Sequence, residues 1–112
     1  MEKQMAKKSP YESEELSDSI FMILMAVTEP RHGYGIMQML EEKTEKNLLI
    51  GPATMYTTLK KMKAAEWIEA IAEEEGKIVY QITEKGKAIL LKDFARRKKL
   101  VKLADEILGV IQ

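Results

Sequence analysis

The chain has 112 residues, of which 46% are hydrophobic and 6% aromatic, and it contains no cysteine. This length supports one folded domain rather than two. The absence of cysteine excludes disulfides, thiolate metal sites and a cysteine nucleophile. The longest apolar run, residues 20–27, is far shorter than the roughly 18 residues of a membrane-spanning helix, and the N-terminus lacks a signal-peptide pattern. We therefore expect a cytoplasmic protein that needs no cofactor and no membrane.

The formal charges sum to zero, but they are unevenly distributed. Residues 51–65 carry three lysines and no acidic side chain, and residues 84–112 carry eight basic and four acidic side chains. Attraction to phosphate depends on such local patches more than on the total. Nucleic acid therefore remains a candidate partner, although the neutral total predicts a modest non-specific affinity and a shallow salt dependence.

The N-terminal half predicts two helices. Residues 1–12 are polar and contain Pro10, so we expect a flexible segment. Ser13 is a plausible N-cap for a helix over residues 14–28, in which apolar residues recur at helical spacing. The run 29–33 breaks this helix, and a second helix is expected over residues 33–45.

A third helix is predicted to begin at Pro52, since proline is tolerated at the first helical position. Met55, Leu59 and Met62 define its inner face. Its outer face carries threonine and lysine instead of the usual mixture of glutamate and lysine. From residue 66 the apolar period changes to two, and residues 68–73 and 78–83 predict two strands joined by a glycine-containing turn. Thr83 is placed to cap a final helix from residue 84 to 109 or beyond.

The order helix, helix, helix, hairpin, long helix predicts an α+β, mainly helical, winged helix-turn-helix fold. We divide the chain into a flexible segment (1–12), a winged domain (13–83) and a C-terminal dimerisation helix (84–112). The second helix of a helix-turn-helix can enter the major groove of DNA. On the first turns of the third helix, the side chains expected to reach DNA are Ala53, Thr54, Tyr56, Thr57, Lys60 and Lys61.

The final helix predicts a homodimer. Its residues at alternating spacings of four and three follow the seam pattern of a coiled coil; they are Leu90, Phe94, Arg97, Val101, Ala104, Leu108 and Ile111. Only Arg97 interrupts the apolar stripe. The alternative is that the helix folds back on its own domain, but a helix of this length would overhang so small a body.

Other functions find less support in the residues. With no cysteine and one histidine, His32, there is no nucleophile and base to assemble, so an enzyme is not expected. No metal ligands are spaced around His32, and we expect it to pack at a helix start. Trp67 is expected in the core or at a hinge, with a ligand-facing role as the alternative. The main rival function is a winged helix that binds protein instead of DNA.

Three parts of the sequence resemble the PadR-like family of transcriptional regulators: residues 23–27 followed by 30–36, residues 51–62, and residues 80–86. Their collinear spacing extends the resemblance over residues 16–108, and the C-terminal part is similar to the subfamily with a single dimerisation helix. The resemblance implies a repressor that binds a pseudo-palindromic operator as a homodimer and responds to a small aromatic or other signal. It also implies contacts with DNA from Tyr34, Ala53, Thr54, Tyr56, Thr57, Lys77 and Tyr80.

The chain departs from the family pattern at two places. Family wings usually carry several basic residues after the glycine, whereas here Glu73, Glu74 and Glu75 precede Gly76 and Lys77 alone follows it. Acidic side chains repel phosphate, so we expect little DNA affinity from the wing. Phe94 is available on the dimerisation helix to stack on a planar ligand, but its neighbours offer no second ring.

Overall fold

The computed structural model describes residues 8–47 and 50–109. In this part of the chain the helices and strands are, in order, α1 (Pro10–Ser13), α2 (Asp18–Ala26), β1 (Arg31–His32), α3 (Gly33–Lys43), α4 (Pro52–Ala64), β2 (Ile68–Glu74), β3 (Lys77–Ile82) and α5 (Glu84–Leu108). This order confirms the predicted fold class. None of the helices over these residues combines the length and apolar character that a bilayer span requires.

At the N-terminus the structure has two helices where the sequence predicted one. The short α1 ends at Glu14, which adopts a left-handed backbone conformation (φ 63°). The hydroxyl of Ser17 then caps α2 by accepting a hydrogen bond from the backbone N–H of Ile20 at 3.2 Å. The predicted cap at Ser13 and the helix start at residue 14 are therefore wrong. Of the segment 1–12 that the sequence predicted to be flexible, residues 1–7 lie outside the described residues, and residues 10–12 belong to α1. The cause is a long-range contact, because Leu16 between the two helices is buried and its N–H donates to the Asp93 carboxylate of α5.

The three strands form an antiparallel sheet in the order β1-β3-β2. The hairpin of β2 and β3 was predicted, and Gly76 at its turn has the positive φ (77°) that glycine adopts without strain. The two-residue β1 was not predicted, because it is too short to show an alternating pattern. Strict alternation also fails: β2 carries an irregularity between Ala70 and Ala72, and on β3 Val79 is buried while Ile78 is 43% exposed.

The core lies between the helices and one face of the sheet. The inner residues of α4 behave as predicted, with Met55, Leu59 and Met62 all buried. Trp67 is also buried, and its ring lies 4.7 Å from that of Tyr11. The core position of Trp67 agrees with the expectation of core packing rather than with a ligand-facing role.

α5 begins at the predicted cap, where the Thr83 hydroxyl accepts a hydrogen bond from the N–H of Gly86 at 3.0 Å. Its first turns belong to the core of the domain, since Gly86, Ile89, Leu90 and Asp93 are buried. The predicted boundary between the winged domain (13–83) and the dimerisation helix (84–112) therefore falls between residues that pack in one core. Leu90 was assigned to the dimer seam, but it packs within its own chain because the helix starts against the domain body.

Candidate nucleic-acid interface

The outer face of α4 is exposed and polar. Met55, Leu59 and Met62 turn one side of this helix into the core, so the opposite side faces solvent over its whole length. All six residues predicted on this helix are exposed: Ala53, Thr54, Tyr56, Thr57, Lys60 and Lys61. The structure therefore presents methyl groups, hydroxyls and ammonium groups on one helical surface of 13 residues. These groups can contact thymine methyls, base edges and phosphates respectively.

Tyr56 lies on the flank of α4 that faces the start of α3. Its ring is 51% exposed, yet its inner edge lies directly over Gly33. A Cβ atom at Gly33 would come within 2.7 Å of the Tyr56 ring carbon Cε1 and 3.0 Å of its hydroxyl oxygen. Only glycine at position 33 leaves the ring in this place. This contact was not predicted, since the two residues lie 23 positions apart in the chain.

The hairpin approaches the same region through Lys77 and Tyr80. A small cleft of about 210 Å³ is lined by Tyr56 of α4, Lys77 and Tyr80 of β3, and by His32 and Gly33 at the start of α3. The Lys77 ammonium group lies 5.8 Å from the centre of the Tyr34 ring. The cleft thus brings together three of the predicted site residues, Tyr56, Lys77 and Tyr80, and Lys77 connects them to the fourth, Tyr34.

Tyr80 is less accessible than the other three of these residues. Tyr34, Tyr56 and Lys77 are exposed, whereas Tyr80 is half-buried. Burial raises the pKa of the Tyr80 hydroxyl, and the neighbouring Tyr56 raises it further. Tyr80 therefore keeps its proton at neutral pH.

The charges around this surface agree with the sequence. The three lysines of α4 and Lys77 are exposed, and so are Glu73, Glu74 and Glu75 at the end of β2 and in the turn.

No group of three or more histidine, aspartate or glutamate side chains over residues 8–47 and 50–109 could hold a metal ion. His32 instead caps α3, as its Nδ1 accepts a hydrogen bond from the N–H of Gly35 at 3.2 Å.

The second half of α5 extends from the domain with an apolar face in solvent. Of the predicted dimer residues, Phe94, Val101 and Leu108 are 46%, 61% and 46% exposed, and Ala104 is half-buried. Ile111 lies outside the described residues. After residue 97, three further large apolar side chains of α5 are more than half exposed: Leu100, Leu103 and Ile107. Phe94 and Val101 line an open groove together with Phe21 of α2.

Arg97, which interrupts the apolar stripe of α5, turns toward α2 of its own chain. Its Nε donates to Asp93 Oδ2 at 2.6 Å, its Nη1 to Asp18 Oδ1 at 2.7 Å and its Nη2 to the Leu16 carbonyl oxygen at 2.8 Å. Its guanidinium carbon also lies 4.3 Å from the centre of the Phe21 ring. We call this cluster of Arg97, Asp93, Asp18 and Leu16 the α5 joint. Sequence reasoning missed it, and the only signal was a charged residue in an apolar stripe.

Asp93 is the acceptor at the centre of the α5 joint and is 1% exposed. Burial alone would raise the pKa of its carboxyl group. Hydrogen bonds from Arg97, from the N–H of Leu16 and from Arg96 outweigh that effect, so the pKa lies below its ordinary value of 3.8. The carboxylate is therefore charged at neutral pH and satisfied by three donors.

The comparisons with known proteins agree with this geometry. The model of the transcriptional regulator PadR-like family matches residues 21–92. An uncharacterized protein from Lysinibacillus sphaericus is 31% identical over 93 residues, which cover 77% of this chain and 84% of that protein.

Among solved structures, a PadR family transcriptional regulator from Eggerthella lenta superposes with a TM-score of 0.70 at 18% identity, over 80% of each chain. Bacillus subtilis PadR in complex with operator DNA superposes with a TM-score of 0.60 at 23% identity, over 66% of this chain and 45% of that one. These structures share the fold, and the family is one of transcriptional regulators rather than enzymes. Because the family match spans residues 21–92, which is more than half of the chain, the chain belongs to the PadR-like family of transcriptional regulators.

Proposed function

We propose that this protein is a sequence-specific DNA-binding regulator that reads the major groove with α4. The observation that carries the proposal is the outer face of α4, which is exposed, polar and free of acidic side chains from Pro52 to Ala64. A helix with this surface fits a groove lined by phosphates, and its first turns reach base edges. The solved complex of Bacillus subtilis PadR with operator DNA, which shares this fold, supports the proposal.

Within this proposal the exposed side chains of Tyr34, Tyr56 and Lys77 position the protein on the DNA backbone. Tyr34, Tyr56 and Lys77 expose two hydroxyls and an ammonium group beside the N-terminal turn of α4. Such groups contact phosphates and fix the register of the helix without reading sequence. The acidic residues of the hairpin oppose deeper contact, so α4 supplies most of the affinity.

We propose that the protein acts as a homodimer through α5. The apolar face of α5 is exposed in the single chain, and six of its large apolar side chains from Phe94 to Leu108 are 46–61% exposed. Exposed apolar surface of this extent on one helix is stabilised by burial against a partner. A second copy offers the same face, and a two-fold dimer then places two copies of α4 in successive major grooves of a pseudo-palindrome, roughly 34 Å apart.

As mode of action we propose repression, because a dimer bound across an operator occupies DNA that other proteins need. A small aromatic molecule or another signal would release it by binding the free and bound dimers with different affinity. The groove lined by Phe21, Phe94 and Val101 includes part of the proposed dimer contact, so a molecule bound there would compete with or alter that contact. A promoter fused to a reporter tests the sign of regulation, since repression requires higher expression when the gene is deleted.

An electrophoretic shift with DNA from upstream of the protein's own gene tests the DNA-binding proposal. We expect a discrete complex at low salt that an excess of unrelated DNA does not remove. Light scattering on the same sample should show twice the 12.8 kDa mass of one chain. A dimer that shifts no DNA would favour the rival function, a winged helix that binds protein.

A further inference from the structure

The α5 joint has more directional contacts than attachment of a helix to a domain requires. Arg97 reaches α2 and the segment before it through two hydrogen bonds and the Phe21 ring, and a third bond ties it to Asp93 on α5 itself. Asp93 adds its own bond to the N–H of Leu16. Apolar contacts between helices are non-directional and permit small rotations, whereas a guanidinium fork holds its acceptors at fixed angles.

The position of the α5 joint determines which angle its rigid contacts control. It lies where α5 leaves the domain: Ile89 and Leu90 before it are buried in the core, whereas the large apolar residues after it are exposed. The angle between the winged domain and the dimer contact on α5 is therefore set at the α5 joint. About 11 residues separate Arg97 from Leu108, a length of roughly 16 Å, so a tilt of about 10° at the joint moves the far end by about 3 Å. That displacement is close to the rise of one base pair, about 3.4 Å.

We propose that Arg97 is a positioning residue for DNA recognition, which fixes the angle of α5 and thereby the half-site spacing that the dimer accepts. This inference rests on the proposed function as a DNA-binding dimer. Buried ion pairs contribute little to stability compared with apolar packing of the same volume, and their best-attested role is to specify geometry. Arg97 contacts no DNA in this account and acts only through the angle between two rigid parts.

Three conservative substitutions test this proposal. Arg97→Lys keeps the charge and the aliphatic stem, but a single ammonium group cannot hold Asp93, Asp18 and the Leu16 carbonyl in the fork geometry. Arg96→Lys is the matched control, because Arg96 makes the same kind of bond to Asp93 but only within α5. Asp18→Asn is a milder second variant: it removes the charge of an 85% exposed acceptor, so it is expected to fold even if Arg97→Lys does not.

Two readouts on the full chain test the inference. Since the sequence has no cysteine, Gln38→Cys on the exposed surface of α3 takes one spin label per chain, and pulsed spin resonance gives the distance between labels in the dimer. The second readout is the affinity for duplexes, selected from random DNA by the wild-type protein, in which the half-site spacing is changed by one or two base pairs.

For wild type and Arg96→Lys we expect one narrow distance and at least about a tenfold preference for one spacing. For Arg97→Lys we expect a broadened or shifted distance and a preference of no more than about threefold, with a smaller change of the same kind for Asp18→Asn. The inference is overturned if Arg97→Lys folds and keeps both the wild-type distance and the wild-type spacing preference, even if its melting temperature falls. Where Arg97→Lys does not fold, an unchanged distance and spacing in Asp18→Asn overturns it. A wild-type protein that binds no DNA contradicts the proposed function itself, which separates the two failures.

Discussion

Gly33→Ala tests whether Tyr56 contributes to DNA binding from the place in which the structure holds it. The added Cβ would lie 2.7 Å from Tyr56 Cε1 and 2.9 Å from Cζ. Carbon atoms in contact prefer about 3.5–4.0 Å, so the ring must retreat by roughly 1 Å. Because the ring is half exposed, it can move into solvent, and we expect the free energy of unfolding to change by less than about 1 kcal/mol.

The effect on DNA binding should be larger than the effect on stability. A hydrogen bond from the Tyr56 hydroxyl to a charged phosphate is worth about 1.5–3 kcal/mol. Its loss corresponds to an increase in Kd of roughly 10- to 150-fold. Fluorescence anisotropy with a selected duplex at fixed salt concentration measures this change, and chemical denaturation measures stability on the same sample.

Gly35→Ala is the matched control in the same helical turn. Its Cβ would meet only the His32 ring, at 3.6 and 3.7 Å, which is ordinary contact. We expect DNA affinity within about twofold of wild type and a stability gain of up to about 1 kcal/mol, since alanine favours the helix. Tyr56→Ala should weaken DNA binding by itself and abolish the further effect of Gly33→Ala, because the ring that clashes is gone. Equal losses from Gly33→Ala with and without the Tyr56 ring would refute this reasoning.

Four further changes probe other parts of the account. Thr54→Ala should weaken binding to selected DNA by about 1 kcal/mol with the dimer intact; unchanged affinity in anisotropy removes Thr54 from the interface. Val101→Glu should convert the dimer to a monomer in light scattering by placing a charge on the apolar face of α5, and a stable dimer would place the contact elsewhere. Gly86→Ala should lower the free energy of unfolding by about 1–3 kcal/mol or more, because the new Cβ would strike the Trp67 carbonyl oxygen; wild-type stability in denaturant would contradict this packing. Asp93→Asn should lower the free energy of unfolding at neutral pH, and the difference from wild type should shrink as the pH falls below about 4. The reason is that the pKa of Asp93 is lowered in the folded protein, so its stabilising effect is complete above the ordinary pKa of 3.8 and is progressively lost below it. A difference that stays constant down to pH 2 in urea titrations would contradict a charged Asp93.

Local patterns predicted much of this fold. The apolar spacing of Met55, Leu59 and Met62 located α4, Pro52 marked its start, and Thr83 marked the start of α5. These signals depend on neighbours within one or two turns of chain, so they can be interpreted without a structure. The exposed face of α4 followed directly from its buried face.

Apart from β1, which is too short to show a pattern, the errors arise from contact between residues far apart in sequence. The N–H of Leu16 donates a hydrogen bond to Asp93, and with this bond the chain breaks between α1 and α2 where the apolar spacing predicted one continuous helix. Leu90 fits a dimer seam by spacing, but α5 packs against the domain for its first turns. The closeness of Gly33 and Tyr56 depends on how α3 and α4 cross, and a single sequence carries no such information.

The central claim is that two copies of α4 read DNA from one dimer. Selection of bound duplexes from a random pool by the full-length protein at moderate salt, followed by sequencing, tests it most directly. The account predicts enrichment of an inverted repeat whose half-site centres lie about one helical turn, roughly 34 Å, apart, and loss of that enrichment when Thr54 and Tyr56 are both changed to alanine. A dimeric protein that enriches no sequence, or that enriches the same repeat without these two side chains, would contradict it.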